Sequence, residues 1–439
     1  MTDATHSRMV AFGQRTFGVR PEEFRPVFAG VLLFFLLFAG YFMLRPVRET
    51  MGIAGGVDNL QWLFTATFVC TLLALPLFGW LATRVRRRRI LPWTYGFFTL
   101  NLVAFAAGFL IAPDNVWFAR AFYVWLSVFN LLAISVAWSV LADLFAVSQA
   151  KRLFALMAAG ASLGGLTGPI LGTLLVGLIG HAGLLLLSAA MLAGAIGAAQ
   201  MLQHWRDLDP LRADETAARG QPLGGSPFAG ASAVFRSPYL LGIAFFVLLL
   251  ATVTTFLYFE QARLVEANFP DPIDQTRVFG IIDTIVQTLA ILTQIFVTGR
   301  IAQRLGVGVL LVAVPVIVAG GFLWLAFAPV FAVFAIVMVV RRAGEYAFVR
   351  PGREMLYTVV PPEDKYKAKN FIDTAVYRGG DAVSAWTKAG IDMIAQQPAT
   401  AAFVGAGVAL GWAMTGGLLA RRHTLLSNHT EQPPAAKIA

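Results

Sequence analysis

Long apolar runs separated by short polar connections fill most of the sequence, and they constrain the fold more than any other feature. An α-helix rises about 1.5 Å per residue, so about 20 apolar residues in a helix cross the roughly 30 Å hydrocarbon core of a bilayer. Only 13% of the residues are charged, against about 25% in a typical soluble domain. The sequence therefore predicts an all-α polytopic membrane protein and excludes a soluble enzyme, a disordered chain and a nucleic-acid binder. Twelve runs are predicted to be transmembrane helices: Val27–Leu44, Leu60–Thr83, Leu91–Ala112, Phe118–Leu141, Leu153–Ile179, Gly183–Gln203, Tyr239–Phe259, Val278–Gly299, Val307–Ala328, Val330–Phe348, Phe371–Ile394 and Thr400–Leu419.

One long polar stretch, from Trp205 to Pro238, separates the sixth run from the seventh. It is rich in Gly, Pro, Asp and Arg and shows no apolar period, which is typical of a linker. The chain is therefore predicted to consist of five parts: a cytoplasmic N-terminal segment (1–26), a six-helix bundle (27–204), a cytoplasmic linker (205–238), a second six-helix bundle (239–420) and a cytoplasmic tail (421–439).

Lysine and arginine collect in alternate connections, as in Arg86–Arg89 and Lys365–Lys369. Basic residues concentrate in the cytoplasmic loops of membrane proteins, so the net charge of +10 predicts cytoplasmic termini and does not indicate nucleic-acid binding. The short loops favour an inner (plasma) membrane location. The single cysteine, Cys70, lies in an apolar run and allows no intrachain disulfide.

The two halves of the chain share local motifs at nearly constant spacing. The segment Gly79–Arg84 recurs as Gly299–Arg304, a shift of 220 positions, and Ala150-Lys151 recurs as Ala368-Lys369, a shift of 218. These shifts predict a duplicated six-helix unit, so that the fold consists of two pseudo-symmetric bundles. Transporters built from such repeats bind their substrate between the repeats, near the bilayer midplane.

Over nearly its whole length the sequence resembles the major facilitator superfamily (MFS). The family's loop signature after the second helix is matched at Gly79, Leu81, Ala82, Arg84, Arg87 and Arg88. Thr83 replaces an Asp of that signature, and Arg86 replaces a Gly. The resemblance implies alternating access, with Arg84 and Arg304 as gating residues.

The fifth run also contains Gly164-x-x-x-Gly168-Pro169-x-x-Gly172, which resembles the antiporter signature of that family. Small residues at this spacing equally predict close helix packing.

The eleventh run carries Arg378, Asp381, Lys388 and Asp392 on one helical face. An ionisable side chain at membrane depth costs about 2.5–3.5 kcal/mol or more, so it requires a partner or a watery cavity. We expect Arg378 and Asp381 to pair. Lys388 has an opposite charge only at Asp392, which makes it the better candidate for a ligand.

The tenth run carries Arg341 and Glu345 one turn apart, a spacing that predicts mutual neutralisation, while Arg342 points about 100° away. It faces either the cavity or another helix.

The first run ends with Tyr41, Arg45 and Arg48 on one face, and Pro46 is expected to break this helix. These arginines either snorkel to water or face the cavity. Asp283 and Gln287 lie on a milder polar stripe of the eighth run.

At membrane depth the cations outnumber the carboxylates by eight to six. Because arginine binds carboxylate and phosphate with two parallel hydrogen bonds, this excess favours an anionic solute. The predicted substrate-binding residues are Tyr41, Arg45, Arg48, Arg263, Gln287, Arg342, Arg378 and Lys388. The predicted gating or coupling residues are Arg84, Asp283, Arg304, Glu345 and Asp381.

Two shorter segments are similar to the ATP/ADP translocases, the nucleotide-exchange transporters. They are Lys367-Ala-Lys-Asn-Phe-Ile-Asp373, followed by Arg378-Gly-Gly, and Tyr41-Phe-Met-Leu-Arg-Pro-Val-Arg-Glu49. Asp381 departs from the pattern of that group. The resemblance implies exchange of ATP for ADP, or of a related nucleotide pair, without hydrolysis.

Two alternatives stay open. A proton-coupled MFS exporter of small organic compounds would use Asp283, Asp381 or Glu345 to carry the proton. A non-transporting membrane receptor or scaffold would use the linker as a docking surface.

The sequence contains no Gly-x-x-x-x-Gly-Lys-Ser/Thr loop, no Gly-x-Ser-x-Gly motif and no cluster of His, Cys and carboxylate residues. It therefore predicts no enzymatic activity, no cofactor and no metal. The expected partners are a small anionic solute, with a nucleotide as one candidate, and membrane lipid. Nucleic acid and an obligate protein partner are not expected.

Overall fold

The computed structural model describes residue 20 and residues 23–84, 87–145, 147–207, 229–395 and 397–431. Most of the predicted N-terminal segment, the greater part of the linker and the end of the tail lie outside the described residues. Within them every regular element is helical. The helices are α1 (Phe24–Ala54), α2 (Leu60–Arg84), α3 (Arg87–Ile111), α4 (Val116–Leu144), α5 (Val147–Asp207), α6 (Ala229–Arg236), α7 (Pro238–Asn268), α8 (Pro272–Thr293), α9 (Gly299–Phe327), α10 (Phe331–Gly344), α11 (Arg350–Leu356), α12 (Pro362–Phe371), α13 (Tyr377–Ala395) and α14 (Pro398–Glu431).

Eight helical stretches in the described residues are long and apolar enough to cross a membrane. Two of them, Leu153–Trp205 and Pro272–Phe327, have 53 and 56 residues. At about 1.5 Å per residue each is far longer than one bilayer core. Gly180 and Gly306 interrupt these stretches with φ angles of 64° and 74°, which are favourable only for glycine, so each stretch provides two crossings.

The tenth and eleventh predicted spans also form helices, although they carry too many charges to count among the eight apolar stretches. Residues 331–356 and 362–395 are helical, each with one π-helical turn, at Glu345–Val349 and at Ile372–Val376. This arrangement is consistent with twelve crossings.

The first of two compact units contains Met1–Met51, Leu77–Gly224 and Asp271–Thr284. Aromatic rings fill its core, among them Phe98 with Phe129, whose ring centroids are 4.9 Å apart. The start of α8 is attached through Thr276, whose hydroxyl lies 2.7 Å from that of Thr50 on α1 and 2.9 Å from Nε2 of His181.

The second unit contains Gly52–Pro76, Gly225–Pro270 and Ile285–Ala439. The part of α2 in this unit contacts α13, where Trp386 donates a hydrogen bond of 3.0 Å to Thr65 and packs edge-on against Trp62. Phe64 makes a similar contact with Tyr258 on α7. The division of the chain into bundles over residues 27–204 and 239–420 stays a prediction.

The expectation that Pro46 breaks the first helix is wrong, because α1 continues through Pro46 to Ala54. Proline removes one backbone N–H from the helix, but a helix inside a bilayer has no water to which it can expose further backbone groups. Thr50 also donates a 3.2 Å hydrogen bond to the Pro46 carbonyl, one turn earlier. As a result Arg45 and Arg48 lie well inside a continuous helix.

The glycine run of the fifth span packs directly against α1, as the small-residue spacing predicts. A Cβ atom at Gly164 would lie 2.5 Å from the Phe35 carbonyl oxygen, and one at Gly168 would lie 2.6 Å from that of Ala39. The two backbones therefore approach so closely that only glycine fits. This contact gives the glycine run a packing role.

The end of the predicted linker is helical, which corrects the view that the whole stretch lacks structure. Helix α6 packs against α12, with Gly230 directly against the Lys367 carbonyl. Its apolar side contains the buried Val234, whereas Phe235 is exposed. This apolar side is too short to be noticed as a helical period in the sequence.

Candidate functional site

In the first unit, α1 and the start of α8 bring together two predicted site residues. Nε of Arg45 lies 3.8 Å from Oδ2 of Asp283, and both side chains are largely buried. Tyr41 is buried one turn before Arg45 on the same helix. A residue predicted to bind substrate thus shares an ion pair with one predicted to act in gating.

Arg48 is held by three neighbours in the same unit. It pairs with the adjacent Glu49, donates a 3.4 Å hydrogen bond to Ser127 on α4, and its guanidinium lies 5.3 Å from the ring centre of Tyr123. These contacts fix the side chain against α4, so Arg48 does not snorkel to an interface.

In the second unit, α7 and α13 form a cluster of four charged side chains. Nζ of Lys388 lies 2.5 and 2.6 Å from the two Asp392 oxygens and 3.7 Å from Oε1 of Glu260. Arg263 donates a 2.6 Å hydrogen bond to the other oxygen of Glu260. The Lys388 side chain is only 4% exposed, and its Nζ also lies 5.9 Å from the Phe259 ring centre.

Lys388 also has a carboxylate partner outside its own helix. Helical spacing along the eleventh run shows only Asp392, whereas Glu260 comes from α7, more than a hundred positions earlier in the chain. A small pocket adjoins the cluster, and its charged lining consists of Glu260, Arg263 and Lys388. Apolar side chains such as Phe256 make up the rest of the lining.

The predicted pairing of Arg341 and Glu345 is confirmed, with Nη1 and Oε2 3.0 Å apart. Glu345 also lies 3.6 Å from Arg350 on α11, and Arg341 donates a 2.8 Å hydrogen bond to the Thr254 hydroxyl on α7. Arg342 is buried beside this pair, with 6% of its surface exposed. The tenth span thus buries two adjacent arginines and one carboxylate.

The predicted pair of Arg378 and Asp381 is also confirmed, at 3.5 Å. Asp381 accepts a 3.3 Å hydrogen bond from Thr255 on α7, and Ser384 donates a 2.8 Å bond to Thr252. Sequence reasoning missed this row of threonines on α7. The sequence does contain a signal for this row, namely three threonine hydroxyls within residues 252–255 of an otherwise apolar run.

Three predicted site residues remain: Gln287, Arg84 and Arg304. Gln287 is half-buried on α8, whereas Arg84 is exposed at the last residue of α2, and Arg304 is exposed in α9 just before the turn at Gly306. The two arginines of the repeated loop motif therefore occupy corresponding positions near helix ends. The side chains of the neighbouring Arg87 and Arg88 lie outside the described residues.

Two residues of the translocase-like segment are tied to α11. Asp373 lies 3.1 Å from Arg353, and Lys369 lies 2.6 Å from Glu354. These contacts fasten the start of the eleventh span to the end of the tenth.

Apolar helices of membrane-spanning length, with ion pairs inside them, define a multi-pass integral membrane protein. The family model of the Major Facilitator Superfamily matches residues 27–344, so the chain belongs to this superfamily and is a membrane transporter of its type. None of the curated protein sequences matches the chain significantly.

Solved transporter structures share the fold. A bacterial homologue of the human lysosomal transporter Spinster covers 95% of this chain and matches over 100% of its own length, at 15% identity and a TM-score of 0.59. A bacterial homologue of the iron transporter ferroportin covers 89% of this chain and is itself covered over 98% of its length, at 14% identity and a TM-score of 0.61. The POT family transporter PepTSo covers 91% of this chain and is itself covered over 98% of its length, at 15% identity and a TM-score of 0.62. At such low identity these structures establish the fold and not the substrate.

Proposed function

We propose that the protein is a secondary active transporter of a small phosphorylated anion and that a nucleotide, exchanged as ATP for ADP, is its substrate. The excess of positive charge that the sequence predicts at membrane depth supports an anionic substrate, because the set contains eight cations and only six carboxylates. Planar guanidinium groups bind phosphate with two parallel hydrogen bonds, which suits the arginines of this set. The translocase-like segments favour a nucleotide among the phosphorylated anions.

The observation that carries the proposal is the position of Lys388. Its ammonium is buried, yet it can leave its partners at little cost. Glu260 would keep Arg263, at 2.6 Å, and Asp392 is 44% exposed near the end of α13, so its carboxylate is not enclosed by the protein. Lys388 is therefore a buried cation that a solute phosphate can bind without leaving a buried carboxylate unpaired.

The other proposed ligands supply charge and shape. Arg45, Arg48, Arg263, Arg342 and Arg378 would complement the phosphates. Tyr41 and Gln287 would hydrogen-bond to the base or ribose.

We also propose that both termini lie in the cytoplasm at the inner (plasma) membrane. The exposed Arg84 and Arg304, and the basic residues around Lys367, support this orientation. A cysteine placed at either terminus of a Cys70→Ser background should react with a membrane-impermeant maleimide only after the cells are opened. Labelling of intact cells would reverse the orientation.

Uptake of labelled ATP into proteoliposomes tests the substrate. Vesicles preloaded with ADP should accumulate ATP faster than empty vesicles, and protonophores should not reduce the uptake. A correctly folded protein that moves no ATP in either case would refute the nucleotide assignment.

The alternative of a proton-coupled exporter makes a different prediction. It assigns proton transfer to Asp283, Glu345 or Asp381. In the structure each of these carboxylates lies within 4 Å of an arginine. Solute movement that requires an imposed proton gradient would favour this alternative.

A further inference from the structure

The charged cluster around Lys388 is neutral by itself. It contains two cations, Lys388 and Arg263, and two carboxylates, Glu260 and Asp392, joined in one chain of ion pairs. The Lys388 ammonium therefore has a complete set of counter-charges within the protein.

The same holds for other proposed anion ligands. Arg45 lies 3.8 Å from Asp283, and Arg378 lies 3.5 Å from Asp381. In each case the protein itself provides a carboxylate where a solute phosphate is expected to bind.

We propose that these carboxylates stand in for the solute and allow the empty transporter to return across the membrane, so that it carries out net transport as well as exchange. The inference rests on the proposed function. Its central element is the replacement of a solute phosphate at Lys388 by Asp392, with Glu260 as the second partner.

The physical reason lies in the cost of a buried charge. Moving between its two orientations requires a transporter to pass through a state in which the binding residues are shielded from water. An unpaired ammonium in that state would be strongly unfavourable, which would confine the protein to strict exchange. A paired ammonium removes this barrier.

Asp392 is suited to alternate with a solute. Lys388 contacts both of its oxygens, and its 44% exposure means that the protein does not enclose the carboxylate. Glu260 is less suited because Arg263 holds it and only 13% of its side chain is exposed. Removal of the Asp392 charge should therefore impair the empty return and leave the loaded step intact.

The test measures efflux of labelled ATP from preloaded proteoliposomes, with K⁺ and valinomycin present to hold the membrane potential at zero. Each preparation is assayed with external ADP, which reports exchange, and without it, which reports net transport. For the unmodified protein both rates should be measurable.

Asp392→Asn should lower the ratio of net efflux to exchange about tenfold or more, because the empty state then loses its closest counter-charge. Glu260→Gln/Asp392→Asn should lower the ratio further. Asp274→Asn is the matched control, since it removes an exposed carboxylate that pairs with Arg277 within α8, and it should leave the ratio unchanged.

Strict exchange by the unmodified protein would overturn the inference and leave the proposed function standing. An unchanged ratio in Asp392→Asn and in the double variant would also overturn it. Absence of both exchange and net efflux would refute the proposed function, and the inference would fall with it.

Discussion

Replacement of Lys388 by alanine separates a ligand role of this residue from a structural one. A hydrogen bond to a charged group contributes about 1.5–3 kcal/mol, so loss of the ammonium should weaken nucleotide binding about tenfold to a hundredfold. Removing one partner of a fully buried ion pair normally costs about 3–5 kcal/mol of stability. Here the cost should be below about 2 kcal/mol, because Glu260 keeps Arg263 and Asp392 is partly exposed.

Binding of labelled ADP to the purified protein and thermal unfolding of the same preparation provide the two readouts. Lys388→Arg keeps the charge and should retain most of the affinity. Arg277→Ala is the matched control, because Arg277 forms an exposed pair with Asp274 within α8 and its loss should change neither readout appreciably. An affinity unchanged in Lys388→Ala, or a fall in affinity matched by an equal loss of stability, would refute the reasoning.

Three further substitutions, two of them with a matched control, test the packing and the buried contacts through thermal unfolding. Gly168→Ala should destabilise by about 1–3 kcal/mol because its Cβ meets the α1 backbone, whereas Gly197→Ala in the same helix meets open space and should not; equal effects would contradict the packing. Thr254→Val removes a hydrogen-bond acceptor from the buried Arg341 and should cost about 1–3 kcal/mol, while Thr254→Ser should restore stability. Pro46→Ala should stabilise, since the helix already continues through this position and alanine restores the missing N–H; a loss of stability would show that the proline fits a bend.

The membrane-spanning fold could be predicted because it depends on local composition. Runs of about 20 apolar residues leave the backbone no alternative to a helix in the bilayer. The pairs Arg341 with Glu345 and Arg378 with Asp381 were predictable for a similar reason, since residues three or four positions apart share a helical face.

Contacts between helices distant in sequence were not predictable in this way. The second partner of Lys388 is Glu260, and the hydroxyls next to Arg341 and Asp381 come from α7. No spacing rule joins positions that are more than eighty residues apart. The sequence therefore indicated which charged side chains lie within helices but not all of their partners.

Pro46 shows that a rule for local structure can also give a wrong prediction. A rule that holds in water, where a broken helix exposes its backbone to solvent, predicted a helix end there. In the bilayer the cost of exposed backbone groups outweighs the loss of one hydrogen bond, and α1 continues to Ala54.

The measurement that tests the central claim most directly is the binding of a series of ligands that differ only in charge: adenosine, AMP, ADP and ATP. If the buried cations bind the solute through its phosphates, affinity should rise along the series, and adenosine should compete poorly with labelled ADP. The rise should be lost in Lys388→Ala. Adenosine that binds as tightly as ATP, or an affinity that falls as phosphates are added, would contradict the proposal that this transporter recognises an anion.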